Sequence, residues 1–217
     1  MSESSAQMHA YYAQRASYYD AVYERPERQE DIRIVRELLR TEFSGRTVLE
    51  VACGTGYWTP SIAETASSIT ATDAIPEPLA VARSRPGNEK VLFELADAYT
   101  LAASLGVYQG AFAGLWFSHV PVVERARFFA SLHARLRPGS LVILLDNRGA
   151  QLKDFPIAET DPDGNTYQLR TLRDGSVHRV LKNFPKSSDL HELVAGVAYG
   201  VKFRELENFW LLQYTLR

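Results

Sequence analysis

Gly54 and Gly56, with Glu50 shortly before them and Asp73 seventeen positions after the second, are the part of this sequence best suited to grip a ligand. Glycines let a chain turn sharply and bring its backbone close to a bound molecule. The run Val48-Leu-Glu-Val-Ala-Cys-Gly-Thr-Gly56 begins apolar and β-branched, which puts the turn at the carboxyl edge of a strand, where open α/β sheets bind ligands. Three details narrow the ligand. Three positions after Gly56 stands Thr59, not the glycine or alanine of a pyrophosphate-binding fingerprint. A carboxylate at Glu50 repels a pyrophosphate and attracts an ammonium or sulfonium. Asp73 ends a second β-branched run, Ser68-Ile-Thr-Ala-Thr72, where an acid can accept hydrogen bonds from ribose hydroxyls. An adenosyl ligand without phosphates satisfies all three. The plainer readings are a turn acid at Asp73 and a solvated edge charge at Glu50.

His119 is the residue suited to take a proton from a nucleophile near neutral pH, with a structural hydrogen bond at a helix entry as its alternative. Residues 8–23 hold Tyr11, Tyr12, Tyr18, Tyr19 and Tyr23 among alanines, and Tyr12, Ala16 and Tyr19 share a helical face. These tyrosines read either as the wall of a pocket or as packing for two short helices. Asn147 and Arg148, just past a strand, point at the same rim and are candidates to touch a substrate.

Other chemistries fail on spacing. The single Cys53 builds neither a disulfide nor a cysteine zinc site and reads as a small buried spacer, and the five histidines show no zinc-ligand spacing. Asp161-Pro-Asp-Gly-Asn165 resembles a calcium loop but has Thr166 at the bend and Leu172 where a bidentate acid is needed. No Walker loop or Gly-x-Ser-x-Gly elbow occurs. A net charge of -2 gives no field for nucleic acid, and no run approaches the roughly 18 apolar residues of a membrane span. A soluble, cytoplasmic protein without nucleic-acid or membrane partners is expected.

The elements that position these residues follow from periodicity. A helix beginning near Pro26 carries an apolar stripe of Ile32, Val35, Leu38 and Leu39 and ends about residue 40. Strands are expected at 47–51, 68–72, 91–95, 111–117 and 141–145. Before the last lies a helix whose inner face is Val122, Ala126, Phe129, Leu132 and Leu136, stopped by Pro138-Gly139. Strands alternating with helices give a parallel sheet covered on both faces. Arg173-Asp-Gly-Ser176 between alternating runs marks a hairpin inserted on the core sheet, and a helix at 189–198 with strands at 201–206 and 209–215 closes the chain.

The glycine segment resembles the first motif of the class I S-adenosylmethionine-dependent methyltransferases of small-molecule type: an acidic residue, two spacers, then Cys/Gly-Gly-x-Gly. The resemblance covers roughly residues 8–150. It implies an α/β, Rossmann-like, doubly wound and mostly parallel seven-stranded sheet with an antiparallel C-terminal strand. It further implies one domain over 1–217: a helical lid at 1–40, a cofactor-binding core at 46–150, the hairpin insertion at 164–182 and completion of the sheet at 189–217. S-adenosylmethionine is then the cofactor. The loop residues Glu50, Ala52, Gly54, Thr55 and Gly56 bind it, Asp73 with Ala74 holds the ribose, and Asp97-Ala98 reads the adenine. Phe117-Ser118-His119 lines the methionine end, and Tyr19-Asp20 closes the lid.

On that footing the expected reaction is methyl transfer to a small molecule through nitrogen or oxygen, with His119 as catalytic base. Tyr11, Tyr12, residues 116–121 including Trp116, and the hairpin wall the acceptor pocket. Such an aromatic wall suits a cationic or flat acceptor. The alternatives are a module that binds the cofactor without catalysis, a nicotinamide-dependent oxidoreductase on the same architecture, and a macromolecular methyltransferase.

Overall fold

The computed structural model describes residues 3–217. Helix α1 (Glu3–Arg15) runs into a 3-10 segment, Ala16–Val22, that kinks at Tyr18, where φ is -133°. A short 3-10 turn at Pro26–Arg28 starts α2 (Gln29–Glu42), whose Ile32, Val35 and Leu39 are fully buried, as the stripe required. The core then alternates β1 (Thr47–Val51), α3 (Thr59–Ala63), β2 (Ser68–Asp73), α4 (Pro76–Ser84), β3 (Leu92–Leu95), β4 (Tyr108–Gly114), α5 (Arg125–His133) and β5 (Leu136–Asn147). The remainder is β6 (Glu159–Thr160), β7 (Thr166–Thr171), β8 (Val177–Leu181), α6 (Ser187–Val194), β9 (Ala198–Glu205) and β10 (Phe209–Leu216).

Seven strands form one sheet in the order β3-β2-β1-β4-β5-β10-β9. β1 pairs in parallel with β2 and β4, as do β2 with β3 and β4 with β5, whereas β10 runs antiparallel to both β5 and β9. Alternate residues of the central strands enter two separate cores. Leu49, Val51, Ala111 and Val142 pack with Phe128, Phe129 and Leu132, while Val48, Phe112 and Ile143 pack with Val35, Leu39 and Ile62. Both faces are therefore covered by helices, which is what a parallel sheet needs to keep its apolar strands dry.

Three expectations are corrected. The helix before β5 stops at His133, and Leu136 is instead the first strand residue, opposite Tyr108. The register jumps from that pair to Gly110 opposite Leu141, so the Arg137-Pro-Gly139 turn is absorbed as a bulge inside the strand. On α5 the buried face is Arg125, Phe128, Phe129 and Leu132, and Ala126 is exposed. The Asp-Gly hairpin does form, with Leu169 opposite Arg179, but β7 and β8 join β6 in a separate three-stranded sheet. That small sheet packs under α1: Tyr11 meets Leu172 and Val180, and Met8 meets Tyr167 and Leu181. Among the described residues no helix is long and apolar enough to cross a membrane.

Candidate active site

The chain order reverses between β1 and β4, so the connections leaving these neighbouring strands diverge to opposite faces and open a crevice at their carboxyl ends. Both strands leave the sheet through a residue in the left-handed region, Ala52 with φ 53° and Leu115 with φ 58°. For residues other than glycine this conformation costs on the order of 1–3 kcal/mol, and it is held here because it turns the two chains outward around the crevice. A cavity of about 640 Å³ occupies the crevice, and both residues line it.

At the β1 end, Ala52, Gly54, Thr55, Asp73, Ala74, Asp97 and Ala98 all lie on the cavity wall. Asp73 is buried and accepts from the Gly54 and Ile75 backbone N–H groups, 2.8 Å to each of its two oxygens. Burial raises its pKa, and those two N–H groups oppose the rise. Each oxygen keeps lone-pair capacity for a further donor. Asp97 accepts from the Tyr99 N–H at 2.8 Å and is otherwise exposed. A Cβ built on Gly54 would meet nothing within 4 Å, so open space faces the backbone of the loop. An exposed backbone beside two acids with spare acceptor capacity fits a phosphate-free adenosyl group bearing hydroxyls and positive charge.

Two other residues expected at this end are off the wall. Gly56 has φ +68°, and a Cβ there would stand 2.9 Å from Ala82 Cβ and from Asn88 Nδ2, so this glycine is needed to seat the loop on α4. Glu50 is buried within β1, and one of its oxygens has no hydrogen-bond partner among the described residues. Burial pushes its carboxyl up to about 8, a Thr59 hydroxyl pulls the other way, and the nearby Asp73 adds repulsion.

The lid lies across the crevice. Tyr12, Ala16, Tyr19 and Tyr23 line the cavity from above. Asp20, next to Tyr19, accepts from the Thr55 hydroxyl at 2.6 Å and pairs with Arg85, whose Nε donates to the Thr55 carbonyl at 2.9 Å. The lid is thus fastened to the glycine loop itself. Tyr11 points away from the cavity, into the small sheet, where its hydroxyl accepts from Arg15 at 2.7 Å.

Beyond β4, Trp116 and His119 line the cavity. Phe117, between them, does not: it is fully buried against Phe128, Phe129 and Trp210, because positions three apart share a face of a 3-10 turn, which puts Trp116 and His119 on the cavity side and Phe117 on another. Asn147 and Arg148 are also off the wall. Asn147 is buried beside Asp146, and Arg148 donates to the Leu206 carbonyl at 2.5 Å and pairs with Glu205 at 3.2 Å. Strand β10 draws both residues away from the rim, since Asn147 is in register with Phe209.

His119 is fixed at both ring nitrogens. Its Nδ1 is 2.6 Å from the Leu181 carbonyl, which can only accept, so Nδ1 carries the hydrogen. Nε2 is then the acceptor, and the Tyr12 hydroxyl donates to it at 2.8 Å. Burial, reinforced by the Lys182 and Arg170 cations, holds the imidazole pKa down at about 3, so the ring is neutral. Behind it, Lys182 donates to the Ser118 hydroxyl at 2.6 Å and to Asp146 at 3.0 Å, and Ser118 donates to both Asp146 oxygens. Burial alone would raise Asp146, but the Lys182 cation and the backbone donors outweigh it.

Sequence reasoning missed this cluster, and it also missed Tyr167 and Leu181 of the second sheet, which line the cavity. The alternation of β7 and β8 was the available signal: Gln168, Arg170, Val180 and Lys182 share one face.

Residues 48–139 match a family model described as a methyltransferase domain. Among solved structures, the chain is similar to a DhpI–SAM–HEP complex, with 28% identity, 99% of each chain covered and a TM-score of 0.80. It is also similar to DhpI in complex with SAH, with 27% identity over 97% of this chain and 96% of that one and a TM-score of 0.79. The N-methyltransferase NodS from Bradyrhizobium japonicum WM9, in complex with S-adenosyl-L-homocysteine, shares the fold, with 12% identity, 97% and 98% coverage and a TM-score of 0.67. No curated protein matches the chain by sequence.

Proposed function

We propose that this S-adenosylmethionine-dependent methyltransferase acts on a small molecule, which it methylates on oxygen or nitrogen. The observation that carries the proposal is the shape of the site. The cavity is roofed by Tyr12 and Tyr19 on a lid pinned through Asp20 to the cofactor loop, and it is floored by the second sheet, which suits an enclosed small molecule better than a polymer. The similar DhpI structure is described as a complex with HEP as well as SAM.

Asp73 holds the ribose hydroxyls, Asp97 and Ala98 face the adenine, and Ala52, Gly54 and Thr55 offer the loop backbone to the methionine portion, with Tyr19 closing above. When bound, the cofactor supplies a methyl group on a positively charged sulfur, already activated for displacement. The protein aligns the acceptor, excludes water and fixes the donors around it. His119 works here as a neutral ring that orients the Tyr12 hydroxyl. A base whose conjugate acid has a pKa of about 3 is a poor sink for a proton near pH 7.

The test is turnover, read as S-adenosylhomocysteine released, over a panel of small acceptors, with folded protein and transfer RNA as controls. Release with a small acceptor alone supports the proposal, and release only with a macromolecule refutes it. His119→Ala should lower kcat by about 10- to 100-fold through misalignment of Tyr12 and leave cofactor affinity within about twofold. An unchanged kcat removes His119 from the site's work.

A further inference from the structure

The lid, the glycine loop and the end of α4 meet at one side chain. Residue 86 is proline, which disfavours helical backbone at the residue before it, so α4 stops at Ser84 and Arg85 is extended, with φ -73° and ψ 131°. The end of this helix already carries the loop. The backbone of Gly56 sits close against Ala82 and Asn88, and the Asn88 amide donates to the Ala82 carbonyl at 3.0 Å. Arg85 adds a grip on the loop's backbone, because its Nε donates to the Thr55 carbonyl at 2.9 Å. Thr55 lies between two glycines of positive φ, Gly54 at 56° and Gly56 at 68°, so the turn owes its shape to whatever its backbone is bonded to.

The same guanidinium holds the lid. Its Nη2 donates to one oxygen of Asp20, whose other oxygen accepts from the Thr55 hydroxyl at 2.6 Å. Arg85, Thr55 and Asp20 thus form a closed ring in which each is bonded to the other two, although they come from the end of α4, the loop after β1 and the lid segment beyond the kink at Tyr18. The guanidinium carbon also stands 5.7 Å from the Tyr57 ring centroid, and Tyr57 stacks at 3.6 Å on Tyr23 of the lid. Thr55, Tyr19 and Tyr23 all line the cavity, so the ring joins its floor to its roof. As an ion pair the contact contributes little to the stability of the fold, since the Asp20 and Arg85 side chains are 32% and 21% exposed. Its effect falls on how the lid and the loop move relative to each other.

Building on the assignment of S-adenosylmethionine as cofactor, we propose that Arg85 is a positioning residue for it: one guanidinium fixes the loop and the lid together and so sets how long the cofactor and its product S-adenosylhomocysteine stay bound. A ligand seated on the loop holds Thr55 in place, and Thr55 in turn holds Asp20, so binding favours the closed lid. By the same linkage, a lid released from Arg85 leaves the loop less ordered and the ligand quicker to depart. Lysine does not substitute. Its ammonium is a point charge without the planar fork that reaches Asp20 and Thr55 at once.

The test passes S-adenosylhomocysteine over the immobilised full-length protein and reads association and dissociation by surface plasmon resonance, with thermal denaturation of each variant alongside. Arg85→Gln should speed dissociation about tenfold while the denaturation midpoint stays within about 3 °C of the wild type. Arg85→Lys should speed it about threefold. Adding Asp20→Asn to Arg85→Gln should change the rate by less than about twofold more, because the ring is already open. Unchanged dissociation in Arg85→Gln, or two substitutions whose separate effects multiply, overturns the proposal. It is equally overturned if both Arg85 variants lose affinity only in step with a midpoint lowered by more than about 5 °C, the result of a merely structural role. A wild-type protein that does not bind S-adenosylhomocysteine would instead overturn the cofactor assignment beneath the proposal.

Discussion

The two ends of the cavity are built on different electrostatic plans. At the β1 end the wall acids Asp73 and Asp97, with Glu50 buried behind them, are arranged around a glycine loop whose backbone is open. At the β8 end Glu124, Asp161 and Asp163 line the wall beside Arg127, and a buried cluster of Lys182, Asp146 and Arg170 is set behind Tyr12, Tyr19 and His119. The first plan suits a positively charged nucleoside, whereas the second pairs its buried Lys182 with Asp146. The ends also differ in construction, because Glu50 and Asp73 sit on strands of the main sheet and Asp97 just beyond one, while Arg170 and Lys182 belong to the added sheet.

The largest expected effect tests whether the β8 end is held by its buried ion pair. Lys182→Met leaves Asp146 buried and unpaired and should cost about 3–5 kcal/mol, read as a fall in denaturation midpoint. Pairing it with Asp146→Leu should recover most of that loss. No recovery would mean that Lys182 is held by something other than its charge partner. At the acid end, Asp73→Ala removes charge-assisted hydrogen bonds to the ribose as well as the acceptor for Gly54 N–H, and should weaken S-adenosylhomocysteine about 100-fold by calorimetry. A small effect there would reduce Asp73 to a turn residue.

Glu50 gives a pH signature. Folding raises its pKa from 4.5 to about 8, so in that range the folded chain holds the extra proton and stability falls as pH rises. Thermal midpoints of Glu50→Gln should lack that decline. A cationic cofactor nearby favours the ionised form, so binding at pH 7 should release a proton from the wild type and none from the variant, measured in buffers of different ionisation enthalpy. The smallest effect is at the fastening of the lid. Asp20→Asn weakens a half-exposed pairing with Arg85 and should reduce cofactor affinity about two- to fivefold.

The acid end was largely legible in the sequence, because its residues are adjacent along the chain. A strand, a glycine turn and a strand-end acid keep their spacing in any fold that alternates strand and helix, and β1 and β2 formed where the β-branched runs stood. The buried cluster at the β8 end was not legible. Gln168, Arg170 and Lys182 alternate along the hairpin as solvent-facing residues would, and only long-range packing buries them, Lys182 against Ser118 and Asp146, and Gln168 and Arg170 against Phe155. Phe117 misled for a related reason: proximity to His119 in sequence says nothing of which side of a 3-10 turn faces the cavity. Neither the Asp20 contact with Thr55 nor that with Arg85 can be read from the chain, since the partners lie 35 and 65 positions away.

The most direct measurement is a pair of calorimetric titrations of the wild-type protein, one with S-adenosylmethionine and one with NAD, in the same buffer at pH 7. One saturable site for S-adenosylmethionine and no heat from NAD is the expected result. Saturation by NAD with none by S-adenosylmethionine would contradict the assignment of the acid end.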